Sequence, residues 1–139
     1  MKIAVVYWSS TGNTEAMAQA VVEGAKHAGA EAELFTAAEF DGGKMDEFDA
    51  VAFGCPAMGA EELEDGEFAP MFETCESKLS GKKTALFGSY GWGDGEWMRT
   101  WEENCRDKGA NLVCDSVICQ ETPDDEVLSA CRSLGEALA

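Results

Sequence analysis

Short apolar runs and helical periodicities alternate strictly along this 139-residue chain, and few folds accept that pattern. Strands are read over Lys2 to Tyr7, Ala30 to Phe35, Ala50 to Gly54, Lys82 to Gly88 and Asn111 to Cys119. Helices are read from about Gly12 to Ala28, Glu67 to Leu79 and Gly95 to Lys108, with a last one after Pro123. The stretch from Ala37 to Lys44 supports at most one helical turn. In the first helix Met17, Ala20, Val21, Gly24 and Ala28 share a face, and Gly29 supplies the stop. The second turns Phe68, Met71, Phe72, Cys75 and Leu79 inward and admits Pro70 only in its first turn. The last follows the acidic start Asp124-Asp125-Glu126 and turns Val127, Leu128, Cys131, Leu134 and Leu138 inward. Glu31 and Glu33 alternate with Ala32 and Leu34, the pattern of a half-exposed edge strand. Alternating β and α elements require a parallel sheet covered on both faces, and right-handed crossovers leave few windings. The expected product is an α/β fold, a three-layer doubly wound sandwich, with residues 1–139 forming one domain large enough for its own core.

In such a sandwich, ligands bind beyond the carboxyl ends of the strands. Those ends lead into Trp8 to Thr14, Cys55 to Glu61, Ser89 to Gly95 and Gln120 to Pro123. The first of these loops, Trp8-Ser9-Ser10-Thr11-Gly12-Asn13-Thr14, lies between a strand and a helix. Free N–H groups of the first helical turn and the positive end of the helix dipole therefore meet there. Ser9, Ser10, Thr11 and Thr14 add hydroxyls, and Gly12 lets the backbone approach an oxyanion closely. A nucleoside-triphosphate loop needs Gly-Lys-Ser/Thr, yet no Lys or Arg lies between Lys2 and Lys26. Gly-x-Gly-x-x-Gly is absent too, which leaves a terminal phosphomonoester as the functional reading. The bland alternative is an ordinary capped helix start, where Ser, Thr and Asn are common.

Ten basic against 27 acidic side chains give a net charge of −17. That charge repels nucleic acid and anionic membrane surfaces and favours basic partners. No apolar run is long enough to cross a bilayer and no signal segment opens the chain, so a cytoplasmic protein is expected. The six cysteines, Cys55, Cys75, Cys105, Cys114, Cys119 and Cys131, contain no Cys-x-x-Cys pair and read as reduced thiols rather than metal ligands. The single histidine, His27, reads as a solvated cation at a helix end. Trp92 stands between glycines in a short loop, a poor setting for core packing, whereas Trp97 and Trp101 fall at helical spacing and read as core.

Taken together, Ser-x-Thr-Gly-Asn-Thr, Pro-Ala-Met-Gly (56–59), Gly-Ser-Tyr-Gly-Trp-Gly (88–93) and Glu-Thr-Pro-Asp (121–124) resemble a short-chain flavodoxin over the whole length. That resemblance implies a five-stranded parallel sheet of order 2-1-3-4-5, known for this family, and non-covalently bound FMN. Ser9, Ser10, Thr11, Gly12, Asn13 and Thr14 would hold the phosphate. Trp92 would cover the outer flavin face and Met58 the inner one. Gly59 would turn its carbonyl toward flavin N5 on reduction, and Glu61 would accept from N3–H. Backbone amides around Ser89, Tyr90 and Gly91 would face the pyrimidine edge, with Gln120 against the ribityl chain. Trp8, Pro56, Ala57, Ala60 and Gly93 complete the loops placed around the cofactor. No insertion interrupts the fifth strand, as the short-chain group requires. The implied function is low-potential, one-electron transfer between redox enzymes. Its expected partners are a basic-surfaced reductase and a basic-surfaced electron acceptor, with the carrier itself a monomer. A rival reading on the same fold is an FMN-dependent quinone or flavin reductase, which needs a second substrate site that this length hardly accommodates. A phospho-receiver domain is excluded, because Gly54-Cys55 and Trp8-Ser9 stand where its acidic residues belong.

Overall fold

The computed structural model describes residues 1–58, 62–91 and 93–139. Its elements run β1 (Lys2–Tyr7), α1 (Asn13–His27), β2 (Glu31–Thr36), α2 (Gly42–Met45), β3 (Ala50–Gly54), α3 (Phe68–Cys75) and β4 (Lys83–Tyr90). These are followed by α4 (Glu96–Asp107), β5 (Asn111–Leu112), β6 (Val117–Gln120) and α5 (Asp125–Leu138). All strand pairs are parallel, in the order β2-β1-β3-β4-β5, with β6 also on β4. The expected order 2-1-3-4-5 is therefore present.

The fifth strand departs from expectation, because it is two short segments with residues 113–116 between them. Asp115 and Ser116 interrupt the apolar run, and the Ser116 hydroxyl donates to Glu102 Oε2 at 2.7 Å. The second predicted helix is also shorter: α3 ends at Cys75 and tightens into a 3-10 turn over Glu76–Lys78. The weak stretch after β2 holds a 3-10 turn, Ala37–Glu39, closed by a Thr36–Glu39 capping box, and then α2, capped by Asp41. Ala28 is exposed because it lies past the end of α1, and Ala25 takes the inward place. Leu34 is likewise exposed on the edge strand.

Alternation along the buried strands gives the two faces of the sheet different textures. Ile3, Val5, Tyr7, Ala50, Ala52 and Ala85 point to α1 and α5, while Val6, Val51, Phe53 and Leu86 join Phe68, Phe72, Trp97 and Trp101 on the other side. Under α1 and α5 the strands β3 and β4 present the small side chains of Ala50, Ala52 and Ala85, and those helices also approach each other closely. A Cβ at Gly24 would run into the Arg132 carbonyl, and one at Gly135 into the Val21 carbonyl. Backbone therefore packs on backbone at this crossing. On the other face Phe53, Phe68, Phe72 and Trp101 form edge-to-face pairs with centroids 5.0 to 6.4 Å apart, the favoured aromatic geometry.

Gly135→Ala would improve helix propensity by up to about 1 kcal/mol, but overpacking costs about 1–3 kcal/mol and the obstacle here is backbone. A net destabilisation is expected, read as a lower urea midpoint with unchanged slope.

Candidate functional site

Register sets the ends of β1 and β3 level, and β4 and β6 run past them to Tyr90 and Gln120. Tyr7 pairs with Gly54, Gly54 with Phe87, and Phe87 with Val117. Hydrogen bonds carry the alignment into the loops: Trp8 N donates to Gly54 O (3.0 Å), Ala57 N to Ser89 O (3.0 Å) and Glu121 N to Tyr90 O (2.7 Å). Trp97, buried as expected, donates its indole N–H to the Cys55 carbonyl at 3.2 Å. Gly88 makes room for that contact, since a Cβ there would strike the same carbonyl.

A cleft of about 220 Å³ opens where these loops meet. Ser10, Thr11 and Asn13 form one wall, Pro56, Ala57 and Met58 a second, and Ser89, Tyr90 and Gly91 a third. All nine are residues the sequence singled out. The tenth lining residue, Glu121, is not among the expected cofactor contacts, although Gln120 beside it is. Glu121 is the one non-glycine residue with positive φ (61°) among those described, and such a conformation at a cleft is a signal that only coordinates carry. Trp8, Ser9 and Gly12 line a second cleft, about 420 Å³, on the opposite side of the first loop, together with Tyr7, Glu15 and Glu67. Though larger, this second cleft is a poor place for an anion, because the Glu15 and Glu67 carboxylates face it. Gly93 (φ 87°) and Gln120 are exposed at the rim and line neither cleft. The expectations for Gly59, Ala60, Glu61 and Trp92 lie outside the described residues.

The first loop has the form of an anion cradle. Gly12 adopts the left-handed conformation (φ 93°) at the start of α1, and its N–H donates to Ser9 Oγ at 3.1 Å. No side chain caps α1, whereas Asp41 caps α2 and Asp124 caps α5. Among the described residues, no acceptor meets the N–H groups of Asn13, Thr14 and Glu15. Thr14 serves the loop from below: it is 1% exposed, and its hydroxyl shares a 3.0 Å hydrogen bond with the Ser89 hydroxyl. That bond ties the first loop to the third.

Tyr7, expected as core, is buried but donates its hydroxyl to Glu15 Oε2 at 2.8 Å. Burial, with Glu15 beside it, pushes the phenol up to about 12. Trp8 donates its indole N–H to Glu67 Oε1 at 3.1 Å. Burial also pushes the thiols of Cys55, Cys105 and Cys131 up to about 12 and that of Cys75 to about 11. All six cysteines are free. No group of metal-ligating side chains occurs among the described residues.

Besides Glu121, Glu64 also escaped sequence reasoning. The Glu64 carboxylate accepts from the N–H groups of Gly66 (2.7 Å), Glu67 (2.7 Å) and Phe68 (2.8 Å), capping the start of α3. Desolvation pushes its pKa up, but these three bonds outweigh it and leave the group below its ordinary 4.5.

The flavodoxin family profile matches residues 5–135. The chain is 45% identical to the flavodoxin of Megasphaera elsdenii, over 99% of this chain and 98% of that one. It is 42% identical to the flavodoxin of Clostridium beijerinckii, over 97% of each. The solution structure of two-electron reduced Megasphaera elsdenii flavodoxin superposes with a TM-score of 0.90, covering 98% of this chain and 97% of that chain. A flavodoxin from the domain Archaea, 30% identical, gives 0.87, covering 100% of this chain and 96% of that chain. The chain belongs to the flavodoxin family. It is an FMN-binding, low-potential electron carrier rather than an enzyme.

Two stability predictions follow from this geometry. Ser89→Ala strands a buried Thr14 hydroxyl and should cost about 1–3 kcal/mol, whereas Thr14→Val with Ser89→Ala should cost less than the sum of the two single changes. Denaturant unfolding of the four proteins of the cycle measures the coupling. Because the pKa of Glu64 is lower folded than unfolded, its contribution is complete above about 4.5 and is lost as pH falls through the lower folded value. Glu64→Gln should therefore lower stability by about 1 kcal/mol at pH 7, and its urea midpoint should converge on that of the wild type in acid.

Proposed function

We propose that the three-walled cleft at the strand ends is where FMN sits, with its phosphate on the loop from Ser9 to Thr14. One observation carries this reading: a left-handed Gly12 opens an uncapped helix whose first N–H groups have no described acceptor. That arrangement suits a phosphate in a chain with no cation nearby. A hydrogen bond to a charged group contributes roughly 1.5–3 kcal/mol, so several amides and hydroxyls together outweigh the general repulsion. Pro56, Ala57 and Met58 supply apolar wall for the flavin, and the backbone of Ser89 to Gly91 supplies polar groups for its edge. In the same reading Trp92 covers the outer ring face, Gly59 and Glu61 meet N5 and N3, and Trp8, Ala60, Gly93 and Gln120 complete the surround. Glu121 joins them as a cleft residue. When bound, FMN supplies the one-electron chemistry. The chain's part is to hold the ring, shield its faces and set the charge around it.

Redox proteins are the partners of such a carrier, and charge placement points to basic surfaces on them. Lys2, Lys26, Lys78, Lys82, Lys83, Arg106 and Lys108 all lie near strand starts or helix ends, the pole away from the cleft. Around the cleft lie Glu62, Glu67, Asp94, Glu96, Asp124, Asp125 and Glu126, and the cation among them, Arg99, is paired with Asp94 at 3.1 Å. A basic reductase and a basic acceptor would be steered to this pole. No described helix is long and apolar enough to cross a membrane. We place the carrier in the cytoplasm as a monomer, with residues 1–139 acting as one domain.

The visible spectrum of the purified protein tests the reading first: a yellow sample should release FMN and not FAD on denaturation. Calorimetry should then show much weaker binding of riboflavin than of FMN, and equal affinities would remove the phosphate cradle. At roughly 10 Å in a water-like dielectric each carboxylate opposes an added negative charge by about 0.4 kcal/mol before salt screening. Changing Glu62, Asp94, Glu96 and Glu126 to Gln or Asn should therefore raise the potential of the second electron and flatten the salt dependence of electron transfer.

A further inference from the structure

Between β3 and α3 the chain makes an excursion in which the bonds of one residue, Glu64, converge. Met58 and Glu62 exchange N–H···O bonds of 2.8 and 2.9 Å, forming a closed stem at the cleft wall. Two residues later, Glu64 uses all its polar groups inside the segment. Its N–H donates to Cys55 Sγ at 3.4 Å, its carbonyl accepts from Ala69 N at 2.9 Å, and its carboxylate takes the three N–H groups at the start of α3. The Cys55 thiol, fully buried, donates in turn to the Pro56 carbonyl at 3.5 Å. A continuous chain of bonds thus runs from the first turn of α3 through Glu64 and Cys55 to the cleft wall. Beyond that turn α3 is fastened independently, since Phe68, Met71, Phe72 and Cys75 are buried in the core. Neighbouring Asp65 is exposed and makes no hydrogen bond or ion pair among the described residues.

We propose that Glu64 is a positioning residue for the cofactor: a latch that seats the Met58–Glu62 stem and the Pro56–Met58 wall against the flavin, although its own carboxylate is bonded elsewhere. The proposal rests on the reading of the cleft as the FMN site. Its sign separates it from simple electrostatics. Removing a carboxylate from a chain that binds an anion should, through charge alone, strengthen FMN binding; loosening a latch weakens it. Because the latch serves the ring side of the cleft, FMN and riboflavin should lose affinity by the same factor.

The test uses the full chain with Glu64→Ala, Glu64→Gln and Asp65→Asn, at a temperature where circular dichroism shows each apoprotein folded. Flavin fluorescence quenching should give FMN binding at least tenfold weaker for Glu64→Ala and about threefold weaker for Glu64→Gln, which keeps one acceptor oxygen. Asp65→Asn, losing the same charge next door, should stay within twofold of the wild type or bind more tightly. The midpoint potential of the first electron should move in Glu64→Ala and not in Asp65→Asn. Amide exchange at Gly66 to Phe68 should quicken in the Glu64 variants. FMN affinity of Glu64→Ala within twofold of the wild type would overturn the latch, as would a loss confined to FMN with riboflavin untouched. Should Glu64→Ala not fold, Glu64→Gln binding as tightly as Asp65→Asn overturns it. A wild-type protein that binds no FMN would instead strike down the reading of the cleft, and the proposal with it.

Discussion

Parallel winding of the sheet is the constraint on which the rest of this molecule depends. Each strand enters at one pole and leaves at the other: β1 and β3 end at Tyr7 and Gly54, level with Phe87, and β4 and β6 run on together to Tyr90 and Gln120. Every crossover then begins at the exit pole, and α1, α4 and α5 all start beside it. Free N–H groups and the positive ends of helix dipoles collect at one pole as a consequence of topology. Charge follows the same rule. Acids are favoured in first turns, as at Glu15, Glu96, Asp125 and Glu126, and cations in last turns, as at Lys26 and Arg106. In a winding of this kind a local preference of separate helices becomes a polarity of the whole protein.

The sheet's two faces divide the work of keeping those strand ends rigid. Toward α1 and α5, small side chains and the close contacts at Gly24 and Gly135 bring backbone against backbone. Toward α3 and α4, interlocked aromatic rings fill a thicker layer. Both cores run beneath the loops, and each is linked to them by a polar bond: Thr14 with Ser89 on one face, Trp97 with the Cys55 carbonyl on the other. The loops therefore rest on a platform that is packed from both sides.

Elements whose residues repeat at a helical or strand period were legible in the sequence, because periodicity reports directly which face is buried. The strand order was legible for a different reason, through a resemblance carried by three loops in order, and the nine lining residues of the cleft both through it and through their place at strand ends. What remained hidden involved contacts without a period. The break at residues 113–116 is accompanied by a Ser116 bond to a helix residue fourteen positions earlier in the chain. Leu34 reads as inward by alternation, yet it sits on an edge strand that no helix covers at that point. Glu64 looks like one more acid in an acidic segment, and only the convergence of three N–H groups distinguishes it from Asp65. Glu121 is invisible for the reverse reason: its residue type gives no hint of a left-handed backbone.

On the proposed reading of the first loop, a phosphate site without a cation is the economical solution for a carrier of this charge. A lysine in the loop would bind phosphate directly, but as a long, mobile point charge it would reach to within a Debye length, about 8–10 Å, of the cleft mouth. There it would offset the acidic rim that, on the same reading, repels added electrons and attracts basic partners. Amides and short hydroxyls bind the same phosphate with dipoles whose influence fades over a shorter distance. They are also fixed by the backbone, so ordering them on binding costs little side-chain entropy. On the proposed reading, the cradle from Ser9 to Thr14 thus separates two electrostatic demands that a lysine would confuse, holding an anion at one point while acids predominate around the cleft.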